Sequence, residues 1–137
     1  MTKTFTTAAV AVLALTMGAF SLAAPAMANG QVSISYTPTD ADEAQALGLG
    51  LQMFGMMQGM GQNGGISQNG NNNSGGIGQN GSGNNGVLIQ DGDDHNGTIS
   101  QNGNNNSCGL FQFGEATDAE CVQNGNGNSS VTGVFGF

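Results

Sequence analysis

Apolar residues recur along most of this chain at one fixed interval. Ile66, Ile77, Leu88, Ile99, Leu110 and Cys121 stand eleven residues apart, and two residues after each comes a glutamine: Gln68, Gln79, Gln90, Gln101, Gln112 and Gln123. Glycine follows two further on, at Gly70, Gly81, Gly92, Gly103, Gly114 and Gly125. Three residues beyond, Asn73, Asn84, Asn106 and Asn128 share a phase in which His95 and Thr117 stand in twice. Self-similarity at a constant period is the signature of a stacked repeat. Inside a unit, the small residue, the apolar residue, Gln and Gly fall at alternate positions, so they share one face of a strand. Between units lie stretches such as Gly70-Asn71-Asn72-Asn73, residue types that accept positive φ and bond their own backbone. The pattern predicts an all-β chain, a β-solenoid of 11-residue strand-turn units with 22 residues per coil. Seven strands are expected between about Gly64 and Gly136.

Stacking accounts for the residue types. In a parallel stack every second glutamine lies over its equivalent, and side-chain amides, which both donate and accept, can run as a buried ladder. Ile66, Ile77, Leu88, Ile99 and Leu110 are expected to supply a dry core. The glycine row is expected to let the two sheets approach closely, and the turn asparagines to form a second ladder. Val131, Phe135 and Phe137 make the last outward row apolar, which reads as an edge meant to be covered by another chain.

The pattern changes upstream. Residues 1–28 read as a secretory signal peptide: Lys3 supplies the positive start, Ala8–Leu22 the apolar run, and Ala26-Met27-Ala28 the small-x-small site. Residues 29–63 form a separate segment and 64–137 the repeats. Within 29–63, Val32, Ile34 and Tyr36 alternate as a short strand over Gln31–Tyr36, closed by Pro38. Asp40 and Glu43 have capping-box spacing and open a Met-rich helix over Ala44–Met60, four glycines notwithstanding. That helix is a cap for the solenoid end or a recognition segment for secretion or nucleation.

Charge narrows the function. One Lys/Arg, Lys3, stands against nine Asp/Glu, so the exported chain carries no basic footprint for nucleic acid. A single histidine removes most acid–base and zinc chemistry. No catalytic residue, cofactor, metal or small-molecule substrate is expected, and the chain is read as a non-enzyme. The fragment Gly81-Ser82-Gly83-Asn84-Asn85-Gly86 spells a dinucleotide-binding pattern, but its glycines fall on repeat phases and a strand follows where that motif needs a helix. Asp91, Asp93 and Asp94 lack the spacing of a calcium loop. They are read as gatekeepers, because like charges stacked at strand spacing repel and slow uncontrolled cross-β growth. Cys108 and Cys121 fall in inward phases of successive strands. Either a disulfide or two buried thiols is compatible with that placement.

At Ile66-Ser67-Gln68-Asn69-Gly70-Asn71-Asn72-Asn73 and its echoes the chain resembles the curlin repeat family. The pattern Gln-x-Gly-x-x-Asn is met at Gln68/Gly70/Asn73, Gln79/Gly81/Asn84, Gln101/Gly103/Asn106 and Gln123/Gly125/Asn128, and partially around Gln90 and Gln112. The resemblance implies a secreted, extracellular subunit of curli, the cell-surface pilus-like amyloid of adhesion and biofilm. It further implies export through an outer-membrane curli secretion channel and partnership with itself and with a nucleator curlin. The two cysteines, the missing Lys/Arg and the Met-rich front segment depart from that family's pattern. A monomeric β-solenoid module binding ice or carbohydrate is the alternative. Its expected regular threonine row is absent from the outward positions Ser67, Gly78, Ile89, Ser100, Phe111 and Val122.

Overall fold

A computed structural model of the chain describes residues 19–23 and 30–137. The order is β1 (Ala19–Ala23), β2 (Gln31–Thr37), α1 (Ala41–Met57), β3 (Gly64–Asn69), β4 (Ser74–Asn80), β5 (Asn85–Asp93), β6 (Asn96–Asn102), β7 (Ser107–Glu115), β8 (Asp118–Asn124) and β9 (Ser129–Gly136). The chain is a β-solenoid of about 3 turns with about 22 residues per coil. Its two sheets are parallel stacks: β3, β5, β7 and β9 in the first, β4, β6 and β8 in the second. Register is in phase throughout, with Gln68 opposite Gln90, Gln90 opposite Gln112, Gln79 opposite Gln101 and Gln101 opposite Gln123. Seven strands therefore fill the span that the eleven-residue period predicts.

The core is thin and dry. Leu88, Ile99, Leu110, Cys108, Cys121 and Val134 form it, with Ile77 packed against them. Ile66 departs from the expectation: as the first residue of its column it has a neighbour on one side only and is 40% exposed. The thinning comes from a different glycine row than expected. A Cβ on Gly75 would sit 2.9 Å from Leu88 Cδ2, and one on Gly97 2.8 Å from Leu88 Cδ1. These glycines lie four residues before the glutamines. The glycines after them shape the turns instead. Gly70, Gly81, Gly103 and Gly125 have φ of 107°, 112°, 123° and 106°, backbone that L side chains avoid. Two residues on, Asn72, Gly83, Asn105 and Gly127 are also left-handed, and Asp94 and Ala116 stand in the same relation to Gly92 and Gly114.

The segment before the repeats closes one end and one face. The expected leader, residues 1–28, lies outside the described residues except for β1, whose backbone pairs antiparallel with β2. β2 pairs antiparallel with β9, Gln31 opposite Gly136 and Val32 opposite Phe135. The backbone edge read as awaiting another chain is thus paired by this chain's own strand, while the Phe135 and Phe137 side chains of that apolar row stay exposed. The helix begins three residues earlier than expected, with Asp40 as its cap accepting from the Glu43 N–H at 2.8 Å. It lies across the outer face of the first sheet rather than on the solenoid end. Leu51 is buried over Gly109, Gly55 faces Val87, and Phe54 meets Phe111 edge-on at 5.8 Å. Gly48 admits Ser107 and Ser129 from the sheet, and Ser129 Oγ donates to the Ala44 carbonyl at 2.6 Å. Tyr36 ties β2 to α1 by donating to Glu43 at 3.1 Å. Lost hydration, then the Glu43 hydrogen bond and charge, push the phenol's pKa above its ordinary value.

Candidate functional site

The chain's polar chemistry is concentrated in two amide columns inside the solenoid. Gln68 Nε2 donates to Gln90 Oε1 at 2.7 Å, and Gln90 to Gln112 at 2.8 Å. In the facing sheet Gln79 donates to Gln101 at 2.9 Å and Gln101 to Gln123 at 2.8 Å. Gln90, Gln101 and Gln112 are fully buried, which is tolerable only because each amide finds partners. Gln68 apart, a further N–H of each amide does something the repeat pattern does not announce. It crosses the core to a backbone carbonyl sixteen residues earlier: Gln79 to Asn63, Gln90 to Ser74, Gln101 to Asn85, Gln112 to Asn96 and Gln123 to Ser107. The glutamines thus stack the coils and also stitch the two sheets together.

A second column runs along the turns. The backbone N–H of Asn106 donates to Asn84 Oδ1 and that of Asn128 to Asn106 Oδ1, both at 3.0 Å. Asn84 and Asn106 return their amides to the Gly103 and Gly125 carbonyls at 2.9 and 2.8 Å. On the opposite side Asn73 plays the same part toward Gly92 and His95. There His95 Nδ1 and Thr117 Oγ1, 2.8 Å apart, continue the column without asparagine. This is the physical content of the two substitutions in that phase.

The acidic residues join the same network. Asp91 accepts from Asn69 Nδ2 at 2.8 Å, and Asp93 accepts from both the backbone N–H and the side chain of Asn71. Asp94 occupies a left-handed turn position instead, with φ 59°. Asp93 stands in register with Glu115 on the next coil. Among the described residues no group of three or more His, Cys, Asp or Glu is placed to hold a metal ion.

Cys108 and Cys121 are joined as a disulfide across the core, Cα to Cα 6.7 Å. Of the two states compatible with the sequence, the bonded one is therefore present. The closed loop is short, at a separation of 13 residues. Replacing both cysteines by alanine should cost about 3 kcal/mol on a chain-entropy estimate, read as a lowered urea midpoint. An unchanged midpoint would assign the bond no stabilising role.

The columns end differently at the two rims. At the first, Gln68 and Gln79 are solvent-exposed, and among the described residues no donor reaches their carbonyl oxygens. At the last, Val134 follows Gln112 and closes one ladder with an apolar side chain. Gln123 directs its remaining reach to Ser130 Oγ at 3.2 Å. Compared with family models, curated proteins and solved structures, the chain matches none.

Proposed function

We propose that this protein is a secreted structural subunit that assembles through its strand edges into extracellular, curli-like functional amyloid for cell adhesion and biofilm. One observation carries the reading: backbone register, glutamine columns and turn columns all repeat at the coil spacing and stop at an uncharged rim formed by β3 and β4, unpaired except for the bridge from Gly64 to Gly61. A further coil stacked on this rim completes its backbone hydrogen bonds and, wherever it presents glutamine, extends the ladder as well. The resemblance of the Gln-x-Gly-x-x-Asn units to curlin repeats supports the same reading, with a secretion channel and a nucleator as partners. The surface-module reading is not favoured by the outer face of the second sheet. There Gly76, Thr98 and Glu120 stack in one row and Gly78, Ser100 and Val122 in another, and neither is a regular threonine array.

The test is assembly of the purified protein from Asn29 onward. Fibres should form with meridional spacing of about 4.7–4.8 Å and sheet spacing of about 10 Å. A chain that stays monomeric at high concentration, both from the native state and on refolding from denaturant, overturns the reading. The aspartates give a second expected result. Changing Asp91, Asp93 and Asp94 together to asparagine keeps the acceptor oxygens that Asn69 and Asn71 use and removes three charges. The lag before fibre growth should shorten severalfold at low salt, where like charges interact most strongly. An unchanged or longer lag, followed by dye fluorescence, counts against a gatekeeping role.

A further inference from the structure

The two ends of the solenoid are chemically opposite, and one of them is occupied. The β3–β4 end offers flat edges without a charged residue, Gly64–Asn69 and Ser74–Asn80, and two amide oxygens that want donors. Gln68, Gln79, Gln90 and Gln101 all point an N–H toward the β8–β9 end, where one column finishes on Gln123 Nε2, now on Ser107 O and Ser130 Oγ, and the other on the apolar Val134. That end is closed. β2 pairs along β9 from Gly136 to Val131. The Gln31 side chain holds the edge of β8, donating to the Asp118 carbonyl and accepting from the Asp118 N–H, each at 3.0 Å.

We propose that β2 is a detachable cover over the seat for a second copy of this chain. The inference rests on the assembly reading above. With four strands in one solenoid sheet and three in the other, an incoming copy fits only when turned half a turn about the stack axis. Its β3 then lands on β8 and its β4 on β9. Phase-matched docking sets Gln68 of the newcomer on Gln123, whose contact to Ser130 Oγ is exchanged for a carboxamide oxygen. Ile66 falls on Cys121 and loses its exposure, and Gln79 falls on Val134. Glu120 meets Gly65 and Asp118 meets Asn63, so no like charges are brought together. β4 can take this place only after β2 has left β9 and Gln31 has released Asp118.

A reversible lock tests this in the full exported protein. Ser35 and Thr132 are register partners with hydroxyls 3.0 Å apart, so Ser35→Cys with Thr132→Cys should crosslink β2 to β9, verified by mass mapping beside the native disulfide. The oxidised lock should extend preformed fibres at less than a tenth of the wild-type rate. Its free β3–β4 rim should still bind a fibre end, so it should stop wild-type growth at substoichiometric amounts. Reductant should restore growth, with wild-type protein in the same reductant as control. Ile34→Pro provides the converse. Phe137 N–H donates to the Gly30 carbonyl, so the even-numbered residues of β2 face β9, and proline at 34 removes a ladder donor. This variant should nucleate severalfold faster than wild type. A locked chain that elongates like wild type overturns the cover while leaving assembly standing. Failure of both wild type and Ile34→Pro to form fibres overturns the cover and the assembly reading together. Growth by Ile34→Pro alone supports the cover.

Discussion

Gly103→Ala is expected to be among the most damaging single-methyl additions in this chain. The residue sits at φ 123°, and an added Cβ is driven into the carbonyl of Gly125 on the next coil, 2.7 Å from its carbon and 3.1 Å from Asn126 Oδ1. Neither neighbour can yield cheaply, because both belong to the stacked turn whose hydrogen bonds define the coil spacing. Backbone strain of about 1–3 kcal/mol adds to an overpacking cost of about 1–3 kcal/mol. Together they predict a loss of about 2–6 kcal/mol, a large part of a small domain's stability. Gly78→Ala is the control. It sits in β4 with nothing within 4 Å of the added methyl, and surface changes of this kind stay within about 0.5 kcal/mol. Thermal unfolding followed by circular dichroism checks both. Equal melting temperatures for the two variants would show that the turns are not held at the observed close approach.

Gln101→Leu is the second large effect. Leucine has nearly the volume of glutamine, so the change removes polar partners with little change in packing. It strands the Gln123 Oε1 and the Asn85 carbonyl, each buried and each bonded to Gln101 Nε2 at 2.8 and 3.1 Å. An orphaned buried polar group costs about 1–3 kcal/mol, so the sum is about 2–6 kcal/mol. Gln79→Leu at the exposed rim strands one buried oxygen, Gln101 Oε1, rather than two, so it should cost about 1–3 kcal/mol. Urea unfolding should rank the two variants accordingly. A larger loss at Gln79 would mean that the columns do not derive their strength from burial.

The coil was legible because its rows obey one period, and stacking enforces that period on every strand equally. Gln68 through Gln123 could be placed in columns with no knowledge of pairing, and the strands then fell in register. What the period could not distinguish was which glycine does which work. Gly97 and Gly103 look equivalent in a string of letters. Backbone geometry separates them, one admitting Leu88 between the sheets and the other turning the chain at positive φ. The crossing bond from the glutamines after Gln68 to a carbonyl sixteen residues back was equally hidden, since its partner is main chain and leaves no mark on side-chain composition. The position of α1 was obscured for a related reason. Gly48 and Gly55 lower helix propensity, yet they let the helix lie close on Ser107, Ser129 and Val87. β2 alternates as a strand should, but alternation does not say which edge a strand will join. Val131 and Phe135 signalled an edge needing cover, and the cover came from the same molecule.

The lie of α1 across one sheet also fixes how a filament of such coils would meet its surroundings. Met53, Met56 and Met57 stay exposed on that helix, while the opposite flank carries Gly76, Thr98 and Glu120 in one row and Gly78, Ser100 and Val122 in another, with no thioether. Copies turned by half a revolution alternate these flanks, so thioether patches would emerge on both sides of a fibre at every second subunit. Peroxide, by converting those sulfurs to sulfoxides, would then wet the fibre's flanks without touching the bonds that run along its axis.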